Sequence, residues 1–452
     1  MLFYRPSLLT LAILGLTACS SSSDKDFQEL AKQSLEQQVN WHSEQTAAVD
    51  VVQLTDLIHI PALNAVIQQA MKNNPSLQQR LMALKMLYAQ RTATNSDRIP
   101  ELSANFGGNK EESSDTAYNT DLTVSWELDL WNKIGNSTRA ADKDIASNIA
   151  TLQSTKDTLA ANIMRGWLQI SLQKQLLDIE VKRLVVLESN ESMILEKYRS
   201  GLGDLEDLDT AKADSAYSRS TLAEYNETLA QNQRSLTLLL GLLGDEQRFN
   251  VSAEFPQVLT PLVSLPKQDL SRRPDLQSAL FDIEAEEFRT KAAYKARLPS
   301  LSLEIALSDV ANSPSAALLT SPLWSVLGQL SAPLFDGGYL RSKAEIAELT
   351  TESAYWNYQD TLLTAVNEVE NALGQEKSLT LQQKHLQDAR DSAARSLSSY
   401  QGKYRQGLVD ISDLITVQTG SFDVETKLVQ AKYNRLVNRI DLGLALGLGV
   451  SL

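Results

Sequence analysis

The chain has 452 residues and a formal net charge of −14, from 42 Lys and Arg against 56 Asp and Glu, which opposes a nucleic-acid binder because that function needs a basic face for the phosphates. The single Cys, Cys19, excludes a disulfide framework and a cysteine-built zinc site, and His42, His59 and His385 are too scattered to share a metal. Beyond the N-terminus no apolar run reaches the roughly 18 residues of a membrane-spanning helix.

Residues 1–18 read as a signal peptide: one positive charge in Met1–Arg5, an apolar stretch from Leu8 to Leu16, then small residues. Leu16-Thr17-Ala18-Cys19 resembles the bacterial lipobox, in which the Cys is lipidated and becomes the first mature residue; the alternative is an ordinary signal peptide with an incidental Cys. The lipobox resemblance implies a diacylglycerol and an N-acyl chain on Cys19, with Ser20 favouring the outer membrane. Each buried CH₂ of such chains adds about 0.8 kcal/mol of bilayer affinity. Residues 19–53 then form a lipidated segment and linker.

The first repeat is expected over 54–241. Its strands are predicted at about 100–108 and 121–130. Leu102, Ala104 and Phe106 alternate with polar residues, as do Leu122, Val124, Trp126, Leu128 and Leu130. Glu101–Phe255 contains no Pro, so a very long helix can follow. One apolar stripe runs through Ile145, Ile149, Leu152, Leu159, Ile163, Trp167, Ile170, Leu177, Val181 and Leu184, and a second through Met164, Leu168, Leu172 and Leu176. Between Asn136 and Tyr198 this predicts a helix roughly 90 Å long, packed on two neighbours.

After a linker at 242–270, the second repeat is expected over 271–447, with a short tail at 448–452. Its strands are predicted at about 299–308, where Leu301, Leu303, Ile305 and Leu307 alternate, and more weakly at 323–333. Leu334–Leu452 is again free of Pro. The duplication is carried by ordered landmarks. Asn74-Pro75 and Arg273-Pro274 stand 199 residues apart, as do Pro100 and Pro299, while Gly201 and Gly407, and Gly241 and Gly447, stand 206 apart.

Strict period-2 alternation over about ten residues fits a transmembrane β-strand, with one face to lipid and one to water, or a half-buried strand of a soluble sheet. Four strands cannot close a barrel, and an open edge in lipid leaves backbone groups unpaired at several kcal/mol each. A barrel would therefore be shared, with eight strands in a dimer or twelve in a trimer.

Trp126-Glu127-Leu128-Asp129-Leu130-Trp131 and Pro333-Leu334-Phe335-Asp336-Gly337-Gly338 resemble the two strand-to-helix junctions of lipoprotein outer-membrane efflux factors. With the Asn-Pro and Arg-Pro-Asp-Leu helix starts and the paired Gly-Leu tips, Asp50 to Gly447 is similar to the TolC family, in its lipidated multidrug-efflux branch with pumps of the RND type. The resemblance implies a mainly α protomer with membrane β. In that architecture an internally duplicated long-helix α-barrel protomer contributes four strands to a 12-stranded outer-membrane barrel shared by a homotrimer. A tunnel then projects into the periplasm.

The resemblance also assigns candidate residues. Arg199, Gly201 and Leu202 on the first tip, with Arg405, Gly407 and Leu408 on the second, would contact a periplasmic adaptor. Asp413 falls on an acidic ring position, and Tyr404 and Asp207 match a polar lock between helix pairs. Two departures thin this gate. A second family acid is Thr416 here, unless Asp410 substitutes for it, and the companion base of the lock is Val409. A ring of carboxylates selects cations; the plainer role of Asp410 and Asp413 is helix capping.

No phosphate-binding Gly-rich loop and no G-x-S-x-G elbow occurs. The expectation is a protein that is not an enzyme, has no cofactor beyond the lipid on Cys19, and draws energy from an inner-membrane pump through the adaptor. The principal reading is an exit duct for drugs and small molecules. The alternatives are an exit duct for protein secretion driven by an ABC transporter and a non-conducting coiled-coil scaffold.

Overall fold

The computed structural model describes residues 26–36, 53–57, 60–112, 115–243, 249–256 and 270–450. Cys19, the signal segment and most of the expected linker lie outside them. In chain order the described elements are α1 (Phe27–Glu36), a 3₁₀ turn (Leu54–Leu57), α2 (Pro61–Asn73), α3 (Pro75–Ser96), β1 (Glu101–Asn109), β2 (Ala117–Leu128), α4 (Lys133–Arg199) and α5 (Leu205–Leu239). A second 3₁₀ turn (Leu270–Arg272), α6 (Pro274–Lys295), β3 (Ser300–Ala311), β4 (Leu323–Ser331), α7 (Tyr339–Arg405) and α8 (Ile411–Ala445) follow.

The duplication is written in the helix lengths. α3 and α6 have 22 residues each, α4 and α7 have 67, and α5 and α8 have 35. Pro75 and Pro274 open α3 and α6, where a ring-fixed φ suits the first helical position and the missing N–H has no intrahelical partner to lose.

The four alternating segments form one antiparallel sheet in the order β1-β2-β3-β4. β2 begins at Ala117, ahead of the expected 121, because Asn109 pairs with Ala117 and the ladder continues through Gly107 and Gly108, which carry no alternation signal. β3 extends to Ala311 along β2, and β4 stops at Ser331. The β2–β3 register sets Leu122 against Leu307, Val124 against Ile305, Trp126 against Leu303 and Leu128 against Leu301, with Ser125–Glu304 and Glu127–Ser302 on the opposite face. A slip of one residue would exchange the faces, so this register is strongly specified.

By compactness the chain divides into two units that each draw on both repeats. The first unit (Met1–Gln38, Leu81–Thr151, Asp275–Leu362) contains the sheet. Its strand-to-helix junctions are capped by carboxylates. Asp129 accepts from the N–H of Ile134 at 3.0 Å and of Gly135 at 2.7 Å. Asp336 accepts from the N–H of Leu340 at 2.8 Å and of Gly338 at 2.9 Å, and these bonds, Leu340 foremost, hold its carboxyl below the ordinary value. The indole of Trp131 donates to the Pro299 carbonyl at 2.6 Å, tying the end of β2 to the start of β3. Ion pairs and hydrogen bonds also join its helices. Lys143 pairs with Glu284, Arg289 pairs with Asp144, and Tyr294 donates to Glu348 at 3.0 Å.

The second unit (Val39–Arg80, Leu152–Pro274, Leu363–Leu452) holds the hairpin tips and the segments where the repeats begin and end. The expected second stripe of α4 is buried throughout, with Met164 and Leu168 fully enclosed. The first stripe holds at Leu159, Ile163, Trp167 and Ile170, but Val181 is exposed, as is Ile149 in the first unit. The buried line instead passes through Ile179, Leu187, Asn190 and Ile194. A straight helix of 3.6 residues per turn drifts against a 3.5 repeat, so one stripe cannot stay inward over this length.

The same junction is built twice in this unit. Gly241, with φ +71°, ends α5 against the backbone of Asn73 and Asn74; a Cβ there would lie 2.4 Å from the Asn73 carbonyl oxygen. Gly447, with φ +72°, ends α8 against Arg272 and Arg273, where a Cβ would meet the Arg273 nitrogen at 3.1 Å. Asn74 donates from Nδ2 to the Leu239 carbonyl at 2.9 Å, and Arg273 donates from Nη1 to the Ala445 carbonyl at 3.1 Å. Each caps the equivalent orphan carbonyl of its helix end.

Candidate functional site

The sequence-predicted site residues other than Cys19 all fall on, or within one helical turn of, the two turns that join α4 to α5 and α7 to α8. Both turns end their long helix in the same way. Gly201 takes φ +75° and Gly407 takes φ +72°. The Gly201 N–H donates to the Tyr198 carbonyl at 3.0 Å and the Leu202 N–H to that of Lys197 at 2.9 Å. In the second turn Gly407 donates to Tyr404 at 3.0 Å and Leu408 to Lys403 at 2.9 Å. This is the left-handed helix ending that favours Gly, since a Cβ at positive φ costs roughly 1–2 kcal/mol. A Cβ at either glycine would meet nothing within 4 Å, so the space beside both is open.

The turns present apolar side chains to solvent. Leu202 is 80% and Leu408 is 67% exposed. Behind them the two hairpins are joined by a cluster of Ile194, Leu208, Ala211, Ile411 and Leu414, with Tyr400 and Tyr404 packed against it. The cluster thereby brings the two turns together. Arg199 forms an exposed pair with Glu196 at 3.0 Å, worth little in water. Arg405 is exposed and has no ion-pair partner among the described residues.

The acids differ between the turns. Asp204 caps α5, its Oδ1 accepting from the Asp207 N–H at 2.8 Å. Asp410 occupies the equivalent place before α8 in an extended backbone, but its side chain makes no capping bond. Asp207 and Asp413 are equivalent first-turn positions, and both are exposed. Capping thus accounts for the first acid and leaves the carboxylate of Asp410 free. Tyr404 is not bonded to Asp207 within the chain. Its hydroxyl donates to the Met193 sulfur at 3.4 Å, and Lys197 Nζ lies 5.5 Å from its ring centroid. Met193 and Lys197 carried no motif and were not anticipated.

A third residue without a sequence signal is Asp157, buried on α4. It accepts from the Val450 N–H at 2.9 Å and from Gln153 Nε2 at 2.8 Å, so it fixes the end of the chain. Burial pushes its carboxyl above the ordinary value, opposed by those two bonds and by Lys156. Among the described residues no group of His, Cys, Asp and Glu could hold a metal, and no helix is long and apolar enough to cross a membrane.

A family model described as outer membrane efflux protein matches residues 66–242 and 265–448. The chain is 25% identical over 399 residues to the probable outer membrane lipoprotein SilC of Salmonella typhimurium, covering 86% of both chains. It is 26% identical over 399 residues to the cation efflux system protein CusC of Escherichia coli O6:H1, again covering 86% of both. Its fold is similar to that of the solved outer-membrane channel OprN, with a TM-score of 0.80, 21% identity, and coverage of 91% of this chain and 98% of that one.

Proposed function

Because the chain belongs to the outer membrane efflux protein family, we propose that it is the exit duct of a tripartite efflux system, closed at its helix tips and opened by a periplasmic adaptor. Membership makes it an outer-membrane efflux channel with a TolC-like protomer fold, and not an enzyme. The observation that carries the reading further is the sheet. It has one apolar face and is open at β1 and β4, and in lipid those edges must be paired by other copies. A homotrimer closes a 12-stranded barrel.

Cys19 carries the lipid anchor in this reading, in keeping with the lipoprotein name of SilC. The cargo is small. CusC is named for cation efflux, so ions join drugs as candidate cargo. The inner-membrane pump is of the RND type. Arg199, Gly201, Leu202, Arg405, Gly407 and Leu408 meet the adaptor, the exposed leucines and open glycines letting a partner helix approach closely. Asp410 and Asp413 line the closed mouth, where copies of an uncapped carboxylate repel one another and draw cations. Tyr404 and Asp207 form the lock only between neighbouring helix pairs of the assembly.

A photo-crosslinker at Leu408 in cells tests this, with adducts identified by mass spectrometry. Capture of an adaptor that works with a proton-driven pump is expected. Capture of an ABC-linked adaptor would move the reading to protein secretion. Efficient labelling of other proteins with no adaptor would overturn the tip assignment.

A further inference from the structure

The two hairpin turns lie at the end of the sheet away from the helices, and they differ in chemistry and in fold. Residues 110–116, between β1 and β2, carry four charges in seven residues: Lys110, Glu111, Glu112 and Asp115. Residues 312–322, between β3 and β4, carry none in eleven and include Ala316, Ala317, Leu318 and Leu319. This longer loop folds back on its own strand. Ala317 is fully enclosed, and its N–H donates to the Ser313 carbonyl at 3.2 Å. Asp309 Oδ2, on β3, accepts from the Ser321 N–H at 3.1 Å and from the Thr320 hydroxyl at 3.5 Å.

The register says which face is covered. Asp309 stands opposite Thr120, two places along from the Leu307–Leu122 pair, so it belongs to the apolar face, which an outer-membrane barrel turns to lipid. Asp309 is only 7% exposed, whereas its neighbour Val310, on the opposite face, is 67% exposed. The loop therefore covers the apolar side of the sheet and leaves the other side bare. On the same face Tyr118 stands opposite Ala311 and Trp324 opposite Leu307, one on each side of Asp309. Tyr and Trp settle where acyl chains meet headgroups, so these rings put Asp309 at the membrane boundary. A bare carboxylate there is costly, and the loop's donors offset that cost. Resting on the outer-membrane barrel reading above, we infer that the β3–β4 loop lies in the lipid interface of the outer leaflet. Leu318, 62% exposed in the single chain, inserts among the acyl chains, while the β1–β2 turn stands in water. The loop's lack of charge suits that place, and the loop is then no lid over the channel mouth.

Probes on introduced cysteines read this directly. Leu318→Cys, Val326→Cys and Glu111→Cys are each made in the full-length protein, labelled with an environment-sensitive nitrobenzoxadiazole dye and reconstituted into phosphatidylcholine vesicles. The wild-type protein, whose one cysteine is Cys19, is the labelling blank. Val326, opposite Ile305, marks the apolar face itself. Probes at Leu318 and Val326 should emit at shorter wavelength and be quenched by doxyl-labelled lipid but not by iodide. The probe at Glu111 should emit at longer wavelength and be quenched by iodide alone. Iodide quenching at Leu318, with lipid quenching kept at Val326, overturns the loop assignment and leaves the barrel standing. Protection of Leu318 from both quenchers also overturns it, in favour of cover by a neighbouring copy. Iodide quenching at Val326 overturns the barrel reading and this inference with it.

Discussion

Placed side by side, the two repeats share their helix lengths and glycine conformations and differ in the residues around them. At the repeat starts the chemistry changes while the job is kept: Asn74 and Arg273 donate to equivalent carbonyls, and only Arg273 adds an ion pair, to Glu368 at 2.7 Å. At the tips the opposite holds. Asp204 and Asp410 are the same residue at equivalent positions, and only the first caps its helix. The difference separates residues that hold the scaffold from residues left free for another use.

The glycines break this comparison most sharply. Gly241→Ala places a Cβ into the Asn73 carbonyl, in addition to the left-handed strain, and should lower stability by more than about 2 kcal/mol or abolish assembly. Gly407→Ala meets open space and should cost only about 1 kcal/mol in thermal melting. If the two variants melt alike, the contrast between a packed turn at Gly241 and an open one at Gly407 is wrong.

Next in size is Arg273→Ala. The guanidinium is nearly buried, and its loss leaves the Ala445 carbonyl unpaired, at a cost of about 2–4 kcal/mol. Asn74→Ala removes a neutral donor and the acceptor for the Leu77 N–H and should cost about 1–2 kcal/mol. Equal losses in denaturant midpoint would mean that the ion pair adds nothing to the second junction.

Asp204→Ala should cost about 1 kcal/mol through the lost cap, and Asp410→Ala less than about 0.5 kcal/mol. A stability loss at Asp410 as large as at Asp204 would restore the capping role.

The smallest effect is pH dependence at Asp157, which breaks the repeat because its counterpart is Leu363. Its folded pKa is raised, so its contribution is full below the unfolded value and fades as pH rises through the folded one. Asp157→Asn keeps an acceptor for Val450 and removes the titration. Its melting temperature should gain on the wild type as pH rises from about 4 to neutral. A constant difference across that range would contradict the assignment.

Much of this fold was legible because Pro and Gly mark places where the backbone has no choice. Pro75, Pro274, Gly201 and Gly407 stand where ring-fixed or left-handed φ is required, so the landmarks of the duplication were structural. Strand ends were less legible. Gly107 and Gly108 pair in the β1–β2 ladder without alternating, and β3 outran its pattern because β2 supplied a partner. The tips were placed correctly, but the partner of Tyr404 was not. Met193 lies on another long helix and reaches Tyr404 only because the tip cluster packs the two hairpins together, a relation that spacing along one helix does not encode. Asp157 was hidden for the same reason, since its partner is the other end of the chain.

The central claim, a conduit whose closed mouth is lined by free carboxylates, is tested most directly by single-channel recording of the purified protein in a planar bilayer. The wild-type protein should conduct weakly and prefer cations, and Asp410→Ala with Asp413→Ala should lose that preference. Unchanged conductance and selectivity in the double variant would remove the gate, and no conductance from either protein would contradict the conduit itself.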